Sequence, residues 1–260
     1  MLAQQKARAY PSLDTISYLC DHRLMQYRLL PCGDAALCVE FGERIDPMLA
    51  AQVACLYETL NFLREGSGIV EMVPTFRSLT ILFDPLLTDG KKVGNLVAKA
   101  LAKPKKKSAK SERRWNLPAL YGGEYGADLE FCAKTKGISV ARLVELHSQS
   151  DLQVYMLGFL PGFAFLGDLP EEIAMPRRAE PRLRVLSGTL AMTGRLTAIY
   201  PWESPGGWNL LGACPVPLFN PAWSEPALLR PGDHLRFTPI SEDEYADLCR
   251  TEIDPGRFLA

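Results

Sequence analysis

Apolar and polar positions along this chain fall into two textures. In the first, Leu37, Val39 and Phe41 alternate with Cys38 and Glu40, the two-residue period of a half-buried strand. Asp46-Pro47 then has the composition of a helix start, with Asp at the N-cap and Pro in the first turn. Leu49, Val53, Leu56, Leu60 and Leu63 follow at spacings of four and three, which draws one apolar stripe, and Gly66 and Gly68 end it. Ile69-Val70 begins another strand. Leu79, Ile81 and Phe83 alternate again and stop at Asp84-Pro85. Val93, Leu96, Val97, Ala100 and Leu101 predict a second helix. The predicted order ββαββα describes a small α+β domain over residues 27–102. Residues 1–26 show weak periodicity and read as an N-terminal extension.

Residues 103–114 are polar and basic with no apolar face, and predict a solvated linker. From Trp115 to residue 260 the texture changes. Helices are predicted near 127–136 and 139–148, with Gly137 as the stop and Ser139 as the next N-cap. Short apolar runs at Leu152–Leu157, Leu190–Met192, Trp208–Leu211 and Leu235–Phe237 are set among Gly and Pro, the pattern of a sandwich or barrel. Ser241-Glu-Asp-Glu244 has the form of a capping box opening a short C-terminal helix.

Composition narrows the function. A net charge of -1 over 260 residues gives no basic field, so nucleic acid is not the expected partner. The seven Cys are odd in number and contain no C-x-x-C, which predicts neither a disulfide framework nor a zinc ribbon. Scattered thiols, no signal pattern and no apolar run of membrane-spanning length predict a soluble, cytoplasmic protein. No phosphate loop, G-x-G-x-x-G, G-x-S-x-G or H-E-x-x-H is present, and the three His lie far apart, so no metal site is predicted by spacing.

Three segments and one His carry candidate chemistry. Gly158–Gly167 places Phe159, Phe163 and Phe165 around the turn residues Pro161 and Gly162, either as a core-anchoring turn or as a ligand-lining loop. Met175–Arg182 sets Arg177, Arg178 and Arg182 on a stiff, Pro-containing base, fit to clamp a carboxylate or phosphate or to form a rim of ion pairs. In Ile199–Trp208, Ser204, Pro205, Gly206 and Gly207 form an expected tight turn beside Tyr200, Trp202 and Trp208. Its bare amides could bind an oxyanion, or it could be a packed hairpin. His147 ends a predicted helix, where a favourable dipole and an accessible proton are expected, and the residue alone reads as structural more readily than as catalytic.

Taken together, residues 31–42, 73–85, 121–131, 145–170, 176–182, 197–212 and 230–240 resemble the KipI / allophanate hydrolase subunit 1 family, through signatures such as G-F-L-P-G-F and Y-P-W-E-S-P-G-G-W. The resemblance implies a ferredoxin-like α+β N-terminal domain followed by a cyclophilin-like β-barrel. It implies a subunit of an ATP-dependent 5-oxoprolinase that hydrolyses 5-oxo-L-proline to L-glutamate, with ATP used by the assembled complex. The implied partners are a second cyclophilin-like subunit and a third hydrolase subunit. His147 would move a proton. Arg178 and Arg182 would bind the substrate carboxylate, and Phe159, Pro161, Gly162, Phe163, Tyr200, Ser204, Pro205, Gly206, Gly207 and Trp208 would line the substrate site. The same family also implies two alternatives, an inhibitor of a sensor histidine kinase and an allophanate or urea-pathway hydrolase subunit. Where the family reads G-R-T-P this chain reads Gly212-Ala-Cys-Pro215, one positive charge fewer.

Overall fold

The computed structural model describes residues 17–20, 23–102 and 113–260. The chain divides into two compact units, 1–108 and 109–260. Of the expected extension, residues 1–16 and 21–22 lie outside the described residues. The remainder is not structureless, since β1 (Ser17–Cys20) and β2 (Arg23–Gln26) pair as an antiparallel hairpin. The basic linker at 103–112 also lies outside them.

The first unit continues with β3 (Arg28–Pro31), β4 (Ala36–Glu40), α1 (Pro47–Phe62), β5 (Ile69–Pro74), β6 (Ser78–Phe83) and α2 (Gly90–Ala102). The Asp46 carboxylate accepts the Met48 N–H at 2.7 Å, satisfying one of the donors that a helix start leaves unpaired. Ala50, Val53, Leu56 and Leu60 are buried, whereas Leu63, expected in the same stripe, falls just past the last turn and is 38% exposed. The four strands form one antiparallel sheet in the order β3-β4-β6-β5. Leu37, Val39, Leu79 and Ile81 share a core with Val53, Leu56 and Leu60 of α1 and Val93 and Val97 of α2. The alternation read in the sequence is therefore the alternation between a helix-covered face and an open one.

The second unit contains β7 (Arg114–Tyr121), α3 (Leu129–Lys136), α4 (Val140–Gln149), β8 (Leu152–Leu157), β9 (Ala164–Gly167), β10 (Arg182–Val185), β11 (Thr189–Thr193), β12 (Leu196–Ile199), β13 (Ser204–Gly206), β14 (Asn209–Ala213), β15 (His234–Pro239) and α5 (Glu242–Arg250). Seven of these strands close into a barrel in the order β11-β12-β9-β8-β15-β7-β14, with β15 and β7 parallel. Arg113 and Arg114, expected in the solvated linker, belong here. Arg114 opens β7, and Arg113 donates through Nε to Asp233 at 2.9 Å. Closure leaves no sheet edge on the barrel, which removes the hazard of strand-to-strand association.

Strands β11 and β12 are buried on both faces. Leu190, Met192 and Ile199 enter the barrel core, while Ala191, Ala198 and Tyr200 join a second cluster with Phe163, Val185, Trp208 and Leu210. Two-sided burial explains the unbroken apolar run that the sequence shows there. Among the described residues no helix is long and apolar enough to cross a membrane.

Candidate functional site

The short ribbon of β10 and β13 lies beside the second cluster, with Arg182 opposite Gly206 and Val185 opposite Ser204. Ser204–Gly206 is thus a strand, not the expected tight turn, and neither Gly206 nor Gly207 has a positive φ. Their glycine identity has a different cause, which is close approach. A β-carbon on Gly207 would sit 2.7 Å from Arg177 Nε, and one on Gly206 would meet the Tyr200 ring at 2.9 Å. The arginine segment is anchored to the same place, since the Arg178 N–H donates to the Gly207 carbonyl at 2.9 Å and Asn209 Nδ2 donates to the Pro176 carbonyl at 2.9 Å.

At the centre of the arginines lies a residue that no sequence motif marks, Asp128. One carboxylate oxygen accepts Arg178 Nη1 at 2.9 Å and Arg182 Nη2 at 2.8 Å, and the other accepts the Leu210 N–H at 2.8 Å. Asp128 occupies the N-cap position of α3, yet its side chain caps nothing on that helix and turns to the arginines. Its side chain is 5% exposed, against 33% for Arg178 and 26% for Arg182. Two guanidinium groups thus share one carboxylate, and one positive charge is left over. Burial raises the proton affinity of the neighbouring Tyr200 hydroxyl, and the charges of Arg177 and Arg182 oppose that rise. A cavity of about 450 Å³ opens here, lined by Phe131, Thr135, Arg177, Arg178 and Asn209 and by one carboxylate, Glu180.

The other expected site residues are dispersed. Phe163 is 1% exposed and packs edge-on to Tyr200 at 5.3 Å and Trp208 at 5.8 Å, so these three rings form core, not a ligand wall. Phe159 is 64% exposed with φ +72, and meets Phe163 at 5.4 Å. The Pro161 carbonyl accepts Trp202 Nε1 at 3.0 Å, and Gly162, with φ +79, lies against the Phe219 β-carbon and the Leu218 carbonyl. The G-F-L-P-G-F loop therefore anchors the cluster's rim. Ser204 is nearly buried, and Pro205 stands exposed on the ribbon.

His147 departs furthest from expectation. It is 0% exposed, enclosed where α4 meets β7, β12 and β15, and stacked on Phe237 at 5.2 Å. Nδ1 lies 2.8 Å from the Tyr121 hydroxyl and Nε2 lies 2.9 Å from Thr197 Oγ1. The Thr197 hydroxyl is itself a donor to the Ala191 carbonyl at 2.9 Å. Thr197 Oγ1 must then accept from His147 Nε2–H, which leaves Nδ1 to accept from Tyr121. A neutral imidazole satisfies every group, and burial lowers the His147 pKa from its ordinary value to about 3. The side chain has no exposed proton and does not serve as the accessible acid or base expected of it. Burial also pushes the Tyr121 hydroxyl up, and the Cys214 thiol up to about 12, so neither ionises near neutrality. Among the described residues no group of three or more His, Cys, Asp or Glu could hold a metal ion.

Comparison with known proteins places this architecture. The family model described as carboxyltransferase domain, subdomain C and D, matches residues 27–229. A 5-oxoprolinase subunit of Bacillus subtilis (strain 168) is 35% identical over 233 residues, covering 85% of this chain and 96% of that protein. The solved structure of TTHA0988 is 33% identical with a TM-score of 0.70, over 80% of this chain and 40% of that longer one. The urea carboxylase of Kluyveromyces lactis shares the fold, with a TM-score of 0.75 at 19% identity, over 96% of this chain and 25% of that one. With a match that runs through both units and a full-length relative sharing more than a third of aligned positions, this chain belongs to the family of the carboxyltransferase domain, subdomain C and D.

Proposed function

We propose that this chain is one subunit of a multi-subunit, ATP-dependent 5-oxoprolinase that opens the lactam of 5-oxo-L-proline to give L-glutamate, the counterpart of the Bacillus subtilis subunit described above. Identity to that subunit over 96% of its length supports the assignment. The observation that carries it at the level of chemistry is the pair Arg178 and Arg182 sharing one enclosed carboxylate, beside a cavity that Arg177 and Arg178 line. A substrate with one carboxylate fits that excess of guanidinium, because charge-assisted, forked hydrogen bonds hold planar carboxylates in a fixed orientation. Arg178 and Arg182 keep the clamp role in this reading. His147 has no part in proton transfer, and a proton carrier is to be sought on the partner subunits. ATP is consumed by the assembly and held outside this chain. The partners are a second barrel-bearing subunit and a third hydrolase subunit, and the assembly works in the cytoplasm.

The finer architecture is read in the same way. In a ferredoxin-like sheet the chain runs βαββαβ. The order β3-β4-β6-β5, all antiparallel, is what that sheet becomes when its last strand comes first in the chain. The barrel is read as cyclophilin-like, with domain limits near 27–102 and 115–260. The likeness in fold to a urea carboxylase supports a second reading, a urea or allophanate-pathway subunit. No observation on the site favours a histidine-kinase inhibitor.

The test is reconstitution. Copurification with the two partner subunits, followed by ATP-dependent glutamate release from 5-oxoproline, is the expected result. A complex that assembles, leaves 5-oxoproline intact and turns over urea or allophanate moves the assignment to the second reading.

A further inference from the structure

We propose that Asp128 is the positioning residue of this anion site, and that it sets Arg178 and Arg182 side by side to receive the carboxylate of the substrate. The inference rests on the 5-oxoprolinase reading for its substrate and on the structure for its geometry. A lone flexible arginine beside a cavity samples many rotamers, and ordering it on binding costs free energy. Here two arginines from a segment without regular structure (Arg178) and from a ribbon strand (Arg182) converge on the same carboxylate oxygen, at 2.9 and 2.8 Å. The other oxygen is fixed by the Leu210 N–H at 2.8 Å, and the Asp128 N–H returns to the Leu210 carbonyl at 3.0 Å. The carboxylate cannot rotate away without breaking both sets. Gly126 locks the approach, because a β-carbon there would lie 2.6 Å from the Leu211 carbonyl oxygen.

The balance of charge makes this more than a structural tie. One carboxylate cannot neutralise two guanidiniums, and among the described residues Arg177 forms no ion pair. Each of Arg178 and Arg182 uses one N–H on Asp128 and remains a quarter to a third exposed, so each keeps donors for a second anion. A mere structural bridge needs one arginine, whereas a site that must bind a second carboxylate gains from two held by the first.

Asp128→Asn separates the roles, because its amide is a donor on one side. If its oxygen faces Leu210, its NH₂ opposes two guanidiniums; if reversed, its NH₂ opposes the Leu210 N–H. In the reconstituted enzyme we expect the KM for 5-oxoproline to rise about tenfold, with kcat within about twofold. The triple variant Asp128→Asn/Arg178→Gln/Arg182→Gln should be little worse than Arg178→Gln/Arg182→Gln, since Asp128 acts through those two arginines. Additive losses, or a fall in kcat alone, overturn the positioning role. Should the wild-type assembly not act on 5-oxoproline, the functional reading falls. The geometry is then tested on the full chain by phenylglyoxal labelling mapped by mass spectrometry. Arg178 and Arg182 are expected to label at least about fivefold faster in Asp128→Asn than in wild type, with Arg177 unchanged as the internal reference. Equal rates in the two proteins overturn the inference.

Discussion

Acid should destabilise the barrel through one side chain, and the size of the effect follows from the enclosure of His147. Its folded pKa lies near 3, below the ordinary value of 6.5 that the unfolded chain restores. Above that ordinary value both states are neutral and His147 adds no pH dependence. As pH falls through the window from 6.5 toward 3, the unfolded state takes up a proton and the folded state does not, so stability is lost with acidification. The slope approaches about 1.4 kcal/mol per pH unit, and between pH 7.5 and 4.5 the loss from this group is on the order of 2–3 kcal/mol. Carboxylates paired in the fold, such as Asp151, whose pKa is held down by its arginine and histidine neighbours against the opposing effect of burial, tilt stability in the same direction. A comparison with His147→Gln isolates the histidine. That variant keeps an acceptor for Tyr121 and a donor for Thr197 but loses the ring stacked on Phe237, so it is less stable at every pH and lacks the extra slope. All four Trp (115, 202, 208 and 223) lie in the second unit, so urea unfolding followed by tryptophan fluorescence reports the barrel selectively. Parallel pH profiles for the two proteins, or a His147 ring proton that titrates near 6.5 by NMR, would refute the reasoning.

Three further outcomes are expected. Arg178→Ala and Arg182→Ala should each raise the KM for 5-oxoproline in the assembled enzyme by roughly tenfold or more, measured by glutamate release, and unchanged kinetics in both would remove the clamp. Asp233→Ala should cost the barrel about 3 kcal/mol in urea unfolding, since the buried carboxylate accepts from Arg113 Nε at 2.9 Å, Trp115 Nε1 at 3.1 Å and the Arg230 N–H at 2.9 Å. Gly162→Ala forces a side chain into φ +79 and a β-carbon to 2.6 Å from Phe219 Cβ, and should cost about 2 kcal/mol, read as a lower urea midpoint.

What the sequence made legible is what depends on neighbours a few residues away. Asp46-Pro47, Gly137, Ser139 and the Ser241 capping box each became the helix boundary they predict, because a cap satisfies backbone groups within its own first or last turn. Strand alternation in the first unit was equally plain, since that sheet has one covered face. The second unit resists the same reading. Ser-Pro-Gly-Gly has the composition of a turn, yet it is extended, because its glycines are fixed by Tyr200 and Arg177 rather than by local torsion. His147, at a helix end where solvent is usual, is roofed by β12 and β15, strands that lie far along the chain.

Asp128 shows the limit most sharply. An Asp at the start of a helix reads as a cap, and its partners stand 50, 54 and 82 residues onward. The one available signal was compositional, a Gly-rich run, Tyr121–Asp128, leading into that helix, which permits the close approach to β14 that the carboxylate requires. Three arginines within six positions fit an anion site or a rim of ion pairs equally well from sequence alone. Whether they clamp a ligand or form a solvated rim depends on a counter-charge that only the fold supplies. Two guanidiniums sharing the Asp128 carboxylate, with one positive charge left over, support the clamp proposed above, because partly enclosed charge is costly to keep unless an anion completes it.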